Sequence, residues 1–182
     1  MIHSRLDRVV VVGTSGSGKT NLAKRLSRAL QAPHIELDAL HWGPDWAARA
    51  PERFRSLVVG EVAGSRWIVD GNYSVVRDIV WRRATTLVWL NYGFGVVFLR
   101  ALRRTARRTV MREELWAGNR ESLVRSFFTR DSILWWVIRT YRRRRREYPR
   151  LLQSGEFAHL EVLEFRKPAH AEEFLARLEG IA

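Results

Sequence analysis

Gly13, Gly18, Lys19 and Thr20 stand in the order G-x-x-x-x-G-K-T, inside the stretch RVVVVGTSGSGKT that runs from Arg8 to Thr20. These residue types at this spacing suit the capture of a polyphosphate. Glycine lets the chain curl until successive N–H groups point at one anion. A lysine after the last glycine reaches the β- and γ-phosphates, and the next threonine hydroxyl can hold Mg²⁺. A helix starting near Gly18 adds its N-terminal dipole to the same anion site. Gly13, Thr14, Ser15, Gly16, Ser17, Gly18, Lys19, Thr20 and Asn21 are therefore the expected nucleotide-binding residues, with ATP and Mg²⁺ as cofactors. The nearest rival is a dinucleotide-binding loop, because Asp38 follows about twenty residues on. The glycines, however, fall as G-x-x-G-x-G rather than G-x-G-x-x-G, and that reading gives Lys19 and Thr20 no task.

A phosphate loop of this kind needs a carboxylate in the Mg²⁺ shell, usually at the end of a neighbouring strand. Asp38 follows the apolar-edged IEL, and Asp70 follows WIV. Strand ends are where open α/β sheets place their ligand crevice. Thr20 with Asp70 is the expected metal pair. Asp38 is the expected general base, or the group that orients an acceptor hydroxyl. The exchanged assignment stays open. The turn-rich DALHWGPDW and DGNYS then supply acceptor contacts from His41, Trp42, Asn72 and Tyr73, beside Asp38 and Asp70. Trp42 and Trp46 serve either the acceptor or the closing of the core.

Arginine supplies nearly all of a formal net charge of +13, lysine occurring only at 19, 24 and 167. An excess of this size favours anionic partners. On a helical wheel Arg100, Arg103, Arg104, Arg107 and Arg108 fall within an arc of roughly 140°. Phe98, Leu99, Leu102 and Ala106 occupy the other side, with Thr105 and Thr109, and are expected to face the core. Clustered arginines repel unless an anion sits among them, so the stripe reads as a phosphate-facing lid, with Arg104 and Arg108 the expected catalytic cations. The run Arg142 to Arg146 surrounds its helix on every side, with Leu134, Val137, Ile138, Tyr141 and Tyr148 as the packing face. Nucleic-acid binding by this run is the less favoured reading.

The elements that must position these groups alternate. Val9 to Val12 is a strand of buried character, and Leu22, Ala23, Leu26 and Leu30 follow at helical spacing. His34 to Leu37 reads as a second strand, Pro51 opens a helix that runs to Gly64, and Arg66 to Val69 is a third strand. Thr85 to Leu90 and Leu160 to Phe165 are the fourth and fifth, with a closing helix over 169–178. Such alternation implies an α/β fold with a parallel sheet. At 182 residues and with one phosphate loop, a single domain over 1–182 is expected. There are no cysteines, which excludes a disulfide framework and a cysteine zinc site. The first apolar run ends in the phosphate loop rather than at a cleavage site, and Leu87 to Leu99 is too short to span a bilayer. A soluble cytoplasmic protein without membrane insertion is expected.

Taken together, GTSGSGKT, LDALHWGPDW, WIVDGNYS, LRRTARR, ELWAGNRES and RDSILWWVIRTYRRRRR resemble a bacterial family of small P-loop proteins, called DNA topology modulation or adenylate-kinase-related proteins. The resemblance covers most of the chain. It implies the nucleoside- and shikimate-kinase fold, a three-layer α/β/α arrangement with a five-stranded parallel sheet in the order 2-3-1-4-5. It further implies an Arg-rich helical lid over about 94–121, followed by an Arg-rich helix over about 130–150, both between the fourth and fifth strands. An adenine-contacting loop would lie at Arg166, Lys167 and Pro168. The implied activity is transfer of the ATP γ-phosphoryl group to a small-molecule acceptor: a nucleotide, a nucleoside or a similar hydroxyl compound. The alternative is a nucleic-acid-associated ATPase or nucleotide-switched regulator. Asp70-Gly71-Asn72-Tyr73-Ser74 replaces the Asp-Gly-Phe-Pro-Arg of adenylate kinases, which argues against AMP as the acceptor.

Overall fold

Four consecutive valines, Val9 to Val12, send their side chains alternately to the two faces of a strand, so both faces need a cover. The computed structural model of the protein describes residues 6–111, 115–119 and 133–180. In it the valines lie in β1 (Arg8–Gly13), at the centre of a sheet with β2 (His34–Glu36), β3 (Trp67–Asp70), β4 (Thr86–Leu90) and β5 (Glu161–Phe165). All pairings are parallel and the order is β2-β3-β1-β4-β5. Val9 and Val11 face one core, with Leu22 and Leu26 of α1 (Lys19–Leu30), Val97 and Ala101 of α5 (Phe94–Val110) and Leu175 of α7 (Pro168–Glu179). Val10 and Val12 face the other. They meet Phe54 and Val58 of α3 (Pro51–Glu61), Val80 and Trp81 of α4 (Arg77–Arg83) and Tyr148 of α6 (Ile133–Gln153). Because β1 pairs with β3 on one side and β4 on the other, the chain leaves its strand ends in opposite directions there, which opens a crevice above β1.

The expected strand order is the one observed. Local boundaries moved for identifiable reasons. β2 stops at Glu36, and Leu37 opens the short helix α2 (Leu37–His41), so Asp38 sits in a first helical turn rather than in a loop. Leu37 is drawn inward against Gly71, where an added Cβ would lie 2.7 Å from that of Leu37. Asp70 is the last residue of β3 itself. α4 is too short to have shown a periodicity.

The largest change concerns α5. Its buried side chains are Val97, Ala101 and Thr105, while Leu99 is 44% exposed and Ala106 is exposed. The expectation that Leu99 and Ala106 face the core is thus reversed. The cause is the phosphate loop: a Cβ on Gly16 would lie 2.7 Å from the Val97 carbonyl oxygen and 2.8 Å from the Ala101 Cβ. Only small residues on α5 allow that approach, so the helix turns its Val97–Ala101–Thr105 side to the loop. Residues 112–114 and 120–121 of the expected lid, and residues 130–132 of the expected Arg-rich helix, lie outside the described residues, as do the Leu134 and Val137 side chains. Among the described residues, no helix is long and apolar enough to cross a membrane.

Candidate active site

Gly13, Gly16 and Gly18 have φ of 153°, 86° and 95°, backbone that other residues rarely adopt, and together they wind the chain from β1 into α1. Thr14 and Ser17 are buried within this turn, the Ser17 N–H donates to the Thr14 carbonyl at 3.0 Å, and the buried Ser17 Oγ finds no partner among the described residues. The Lys19 Nζ donates weakly to the Thr14 carbonyl at 3.5 Å. The result is a cradle of N–H groups and one ammonium suited to phosphate oxygens.

The start of the loop is clamped. The Gly13 N–H donates to Asn72 Oδ1 at 3.1 Å, and the Asn72 amide nitrogen donates back to the Gly13 carbonyl. The Tyr148 hydroxyl donates to the same Asn72 Oδ1 at 2.9 Å, and Arg144 Nη1 donates to the Gly13 carbonyl at 3.3 Å. Asn72 therefore faces the phosphate loop, with both ends of its amide engaged there. Arg144 and Tyr148, one turn apart on α6, complete the clamp.

Lys19 collects the charges of the site. Burial, first, and then the Arg144 guanidinium push its pKa down from 10.5 to about 8; Asp70 and Asp38 push it up, and Arg104 down. One ammonium thus senses both expected carboxylates, one of the two expected lid arginines and an arginine from α6. The sign of the linkage follows from this. Below pH 8 the folded protein carries a proton on Lys19 that the unfolded chain holds more readily, and this cost fades as pH rises from 8 to 10.5. Lys19→Met should stabilise the ligand-free protein by about 1–3 kcal/mol near neutral pH. The gain should vanish above about pH 10.5, as measured by urea unfolding across the range. Nucleotide binding should be lost in the same variant.

Asp70 is 3% exposed, and its Oδ2 is buried without a hydrogen-bond partner among the described residues. Its other oxygen lies 3.7 Å from His34 Nε2. Glu36 pairs with Asp70 in the register of β2 against β3. Burial, then Asp70, raises the Glu36 pKa, with Asp38 adding and Trp116 opposing through a hydrogen bond. Three carboxylates thus crowd the ends of β2 and β3. An unpartnered carboxylate oxygen beside a phosphate cradle fits Mg²⁺, which takes hard oxygen donors from one or two carboxylates plus substrate phosphates. Thr20, half-buried in the first turn of α1, is the accompanying hydroxyl.

Asp38 accepts a 2.5 Å hydrogen bond from the Tyr73 hydroxyl, whose pKa is raised by burial first and by Asp38 next, so Tyr73 stays a donor. His41 stacks obliquely on Tyr73 at 4.6 Å and edge-on against Trp42 and Phe54 at 4.6 and 5.0 Å. Burial lowers the His41 pKa, against the raising effect of Asp38. Asp38, His41, Trp42 and Tyr73 are thereby brought together. Arg104 and Arg108 lie half-buried on the inner part of α5, while Arg103 and Arg107 are exposed. Arg100 Nη1 donates to the Ser17 carbonyl at 3.2 Å.

Arg166 and Lys167 are exposed after β5 and Pro168 is half-buried at the start of α7; Arg166 donates to Glu164 at 2.9 Å. Asn91, buried at the end of β4, donates to that same Glu164 at 2.6 Å. The run Arg142–Arg146 divides: Arg144 is 8% exposed and turned to the site, while Arg142, Arg143, Arg145 and Arg146 are exposed. Glu36, Trp116, Asn119 and Arg144 were not singled out by sequence reasoning. Only Arg144 left a usable trace, since it lies on the helical face of Tyr141 and Tyr148.

The sheet order, with the phosphate loop following β1, defines an α/β fold of the P-loop kinase type. No family model matches the sequence, and no curated protein matches it. Solved structures do. The shikimate kinase of Bacteroides thetaiotaomicron matches with a TM-score of 0.57 and 16% identity over 96% of this chain and 97% of that one. A gluconokinase from Sinorhizobium meliloti 1021 matches at 0.53 and 21%, over 97% and 95%. The shikimate kinase of Acinetobacter baumannii, in complex with shikimate, matches at 0.57 and 16%, over 97% and 92%. At these identities the likeness establishes the fold.

Proposed function

We propose that the protein is an ATP-dependent phosphotransferase acting on a hydroxyl of a small-molecule acceptor. The observation that carries this reading is the glycine-wound loop after β1, which holds Lys19 against the Thr14 carbonyl, is clamped at Gly13 by Asn72 and Arg144, and lies beside the buried Asp70 at the end of β3. The likeness in fold to shikimate kinase and gluconokinase supports it. The loop from Gly13 to Thr20, with Asn21, cradles the nucleotide phosphates, and Lys19 bridges the transferring group. Arg166, Lys167 and Pro168 border the base. Thr20 and Asp70 would hold Mg²⁺, which supplies charge neutralisation at the β- and γ-phosphates. Asp38, held by Tyr73, takes the proton of the acceptor hydroxyl. Arg104, Arg108 and Arg144 offset the negative charge spread over the phosphoryl oxygens in the transition state.

ATP turnover with Mg²⁺ tests the reading, against shikimate, gluconate, nucleosides and nucleoside monophosphates, with Lys19→Ala as control. One acceptor class should accelerate turnover at least tenfold, and Lys19→Ala should abolish it. A flat panel would overturn the kinase reading. The exposed Arg142, Arg143, Arg146 and Arg150 on the outer side of α6 favour a second reading, a nucleic-acid-associated ATPase. Duplex DNA that stimulates turnover in that panel, with a steep loss on adding salt, would select it.

A further inference from the structure

Three of the eight tryptophans meet at one place and belong to neither buried core. Trp42 and Trp46 approach edge to face at 5.8 Å and 79°, and Trp46 and Trp116 do so at 6.2 Å and 80°. All three are half-buried. A tryptophan offers a ligand two things, a ring face and an N–H donor. An indole carries one N–H on nine atoms of flat ring, so three half-buried tryptophans packed edge to face offer mainly ring surface. His41 packs against both Trp42 and Tyr73 at 4.6 Å, and Tyr73 donates to Asp38, so the arc is joined to the expected acceptor carboxylate through His41 and Tyr73.

Asn119 also joins the two chain segments that form the arc, through hydrogen bonds. Asn119 is 6% exposed; its amide nitrogen donates to the Gly43 and Trp116 carbonyls at 2.8 Å each, and its Oδ1 accepts the Trp46 backbone N–H at 2.9 Å. The Leu115 N–H donates to the Asn119 carbonyl at 2.7 Å. It thus fastens the turn Pro44–Trp46 to the turn Trp116–Gly118. Both turns contain left-handed backbone at non-glycine residues, with φ of 55° at Asp45, 57° at Trp46 and 55° at Ala117. Such conformations persist where surrounding contacts hold them, and they gather at ligand clamps.

We infer that the Trp42–Trp46–Trp116 arc is the specificity element of the acceptor site, that it receives a flat heteroaromatic ring of the acceptor, and that Asn119 is the positioning residue that assembles it. A polyol needs donors and acceptors along its length, whereas a planar ring needs faces, and faces are what the arc presents. The inference rests on the proposed kinase reading for the reacting hydroxyl, but the ring contact does not depend on turnover.

The test is equilibrium binding, followed by tryptophan emission and by calorimetry, of adenosine, cytidine, thymidine and gluconate, with a non-hydrolysable ATP analogue and Mg²⁺ present. At least one nucleoside should quench emission with a saturable curve, and gluconate should not. Trp46→Leu and Asn119→Ala should each weaken that nucleoside at least tenfold, with ATP-analogue affinity changed less than twofold. Asn119→Asp keeps the oxygen that accepts from Trp46 but loses the amide donor, and should fall between. Where Asn119→Ala melts before binding can be read, Trp46→Leu carries the test. Binding of no ring compound, or unchanged nucleoside affinity in folded Trp46→Leu, overturns the inference. So does phosphorylation of gluconate that Trp46→Leu leaves unchanged. Intact ring binding without phosphoryl transfer to any acceptor supports the arc and overturns only the kinase reading.

Discussion

Asp38→Asn should lower kcat by about 10³ while leaving the Mg²⁺ concentration for half-maximal rate within twofold of wild type, because a positioned general base contributes on the order of 10²–10⁴. Asp70→Asn should do the reverse in part. The Mg²⁺ midpoint should rise at least tenfold, and saturating Mg²⁺ should restore some of the rate. The distinction comes from the surroundings of the two carboxylates. Asp70 is nearly sealed at the end of β3, with one oxygen that no group among the described residues satisfies. A buried oxygen of that kind is costly unless a cation or donor completes it. Asp38 instead stands in the first turn of α2, half-buried and held by a donor that burial keeps protonated. That is the arrangement for orienting a base toward a second substrate. Metal-dependence curves for the two variants, measured with the acceptor that the turnover panel selects, separate the roles. Exchanged phenotypes would place Asp38 in the metal shell and Asp70 at the acceptor.

How far the sequence reached can be judged at these same residues. The glycine spacing and the valine run determine the phosphate loop, the central strand and its burial on both faces, because those depend on local backbone freedom and local apolarity. The strand order 2-3-1-4-5 was legible through resemblance rather than periodicity, since pairing is a long-range choice. Leu99 and Ala106 misled because a wheel shows which residues share a side but not which side a neighbour needs. Gly16 made that choice by demanding Ala101 and the bare Val97 carbonyl. Asn91, just past the fourth strand, had no role assigned from sequence. In the fold it is a buried donor to Glu164, which also accepts from Arg166, so the end of β4 is tied to the residues after β5. Asn119 was invisible for a different reason. Its three side-chain bonds go to backbone groups of Gly43, Trp46 and Trp116, and a backbone partner leaves no mark on composition.

Arg144→Met should lower kcat/KM by about 10³, since an arginine that neutralises a transferring phosphoryl group contributes on the order of 10³–10⁵. The same change should leave the protein folded and no less stable. Burial is the first cause lowering the pKa of this guanidinium, so the ligand-free fold bears a desolvation cost at Arg144 that methionine would remove. Its hydrogen bond to the Gly13 carbonyl at 3.3 Å is long, and Asn72 also donates to that carbonyl. An activity role also predicts an effect on Lys19. Arg144 is the largest charge depressing the Lys19 pKa, so Arg144→Met should move the alkaline rise in stability upward from about pH 8, toward 10.5. Arg144→Lys keeps a positive charge without the planar fork, and should recover the Lys19 titration more fully than the rate. A variant that unfolds, or one whose rate is unchanged while the Lys19 transition moves, would reduce Arg144 to a support for the loop. A thousandfold loss of rate with an intact fold and a shifted Lys19 transition would mark it as part of the phosphate-binding charge. That outcome would also separate it from the exposed arginines on either side, because Arg143→Met and Arg145→Met remove the same formal charge without facing the loop.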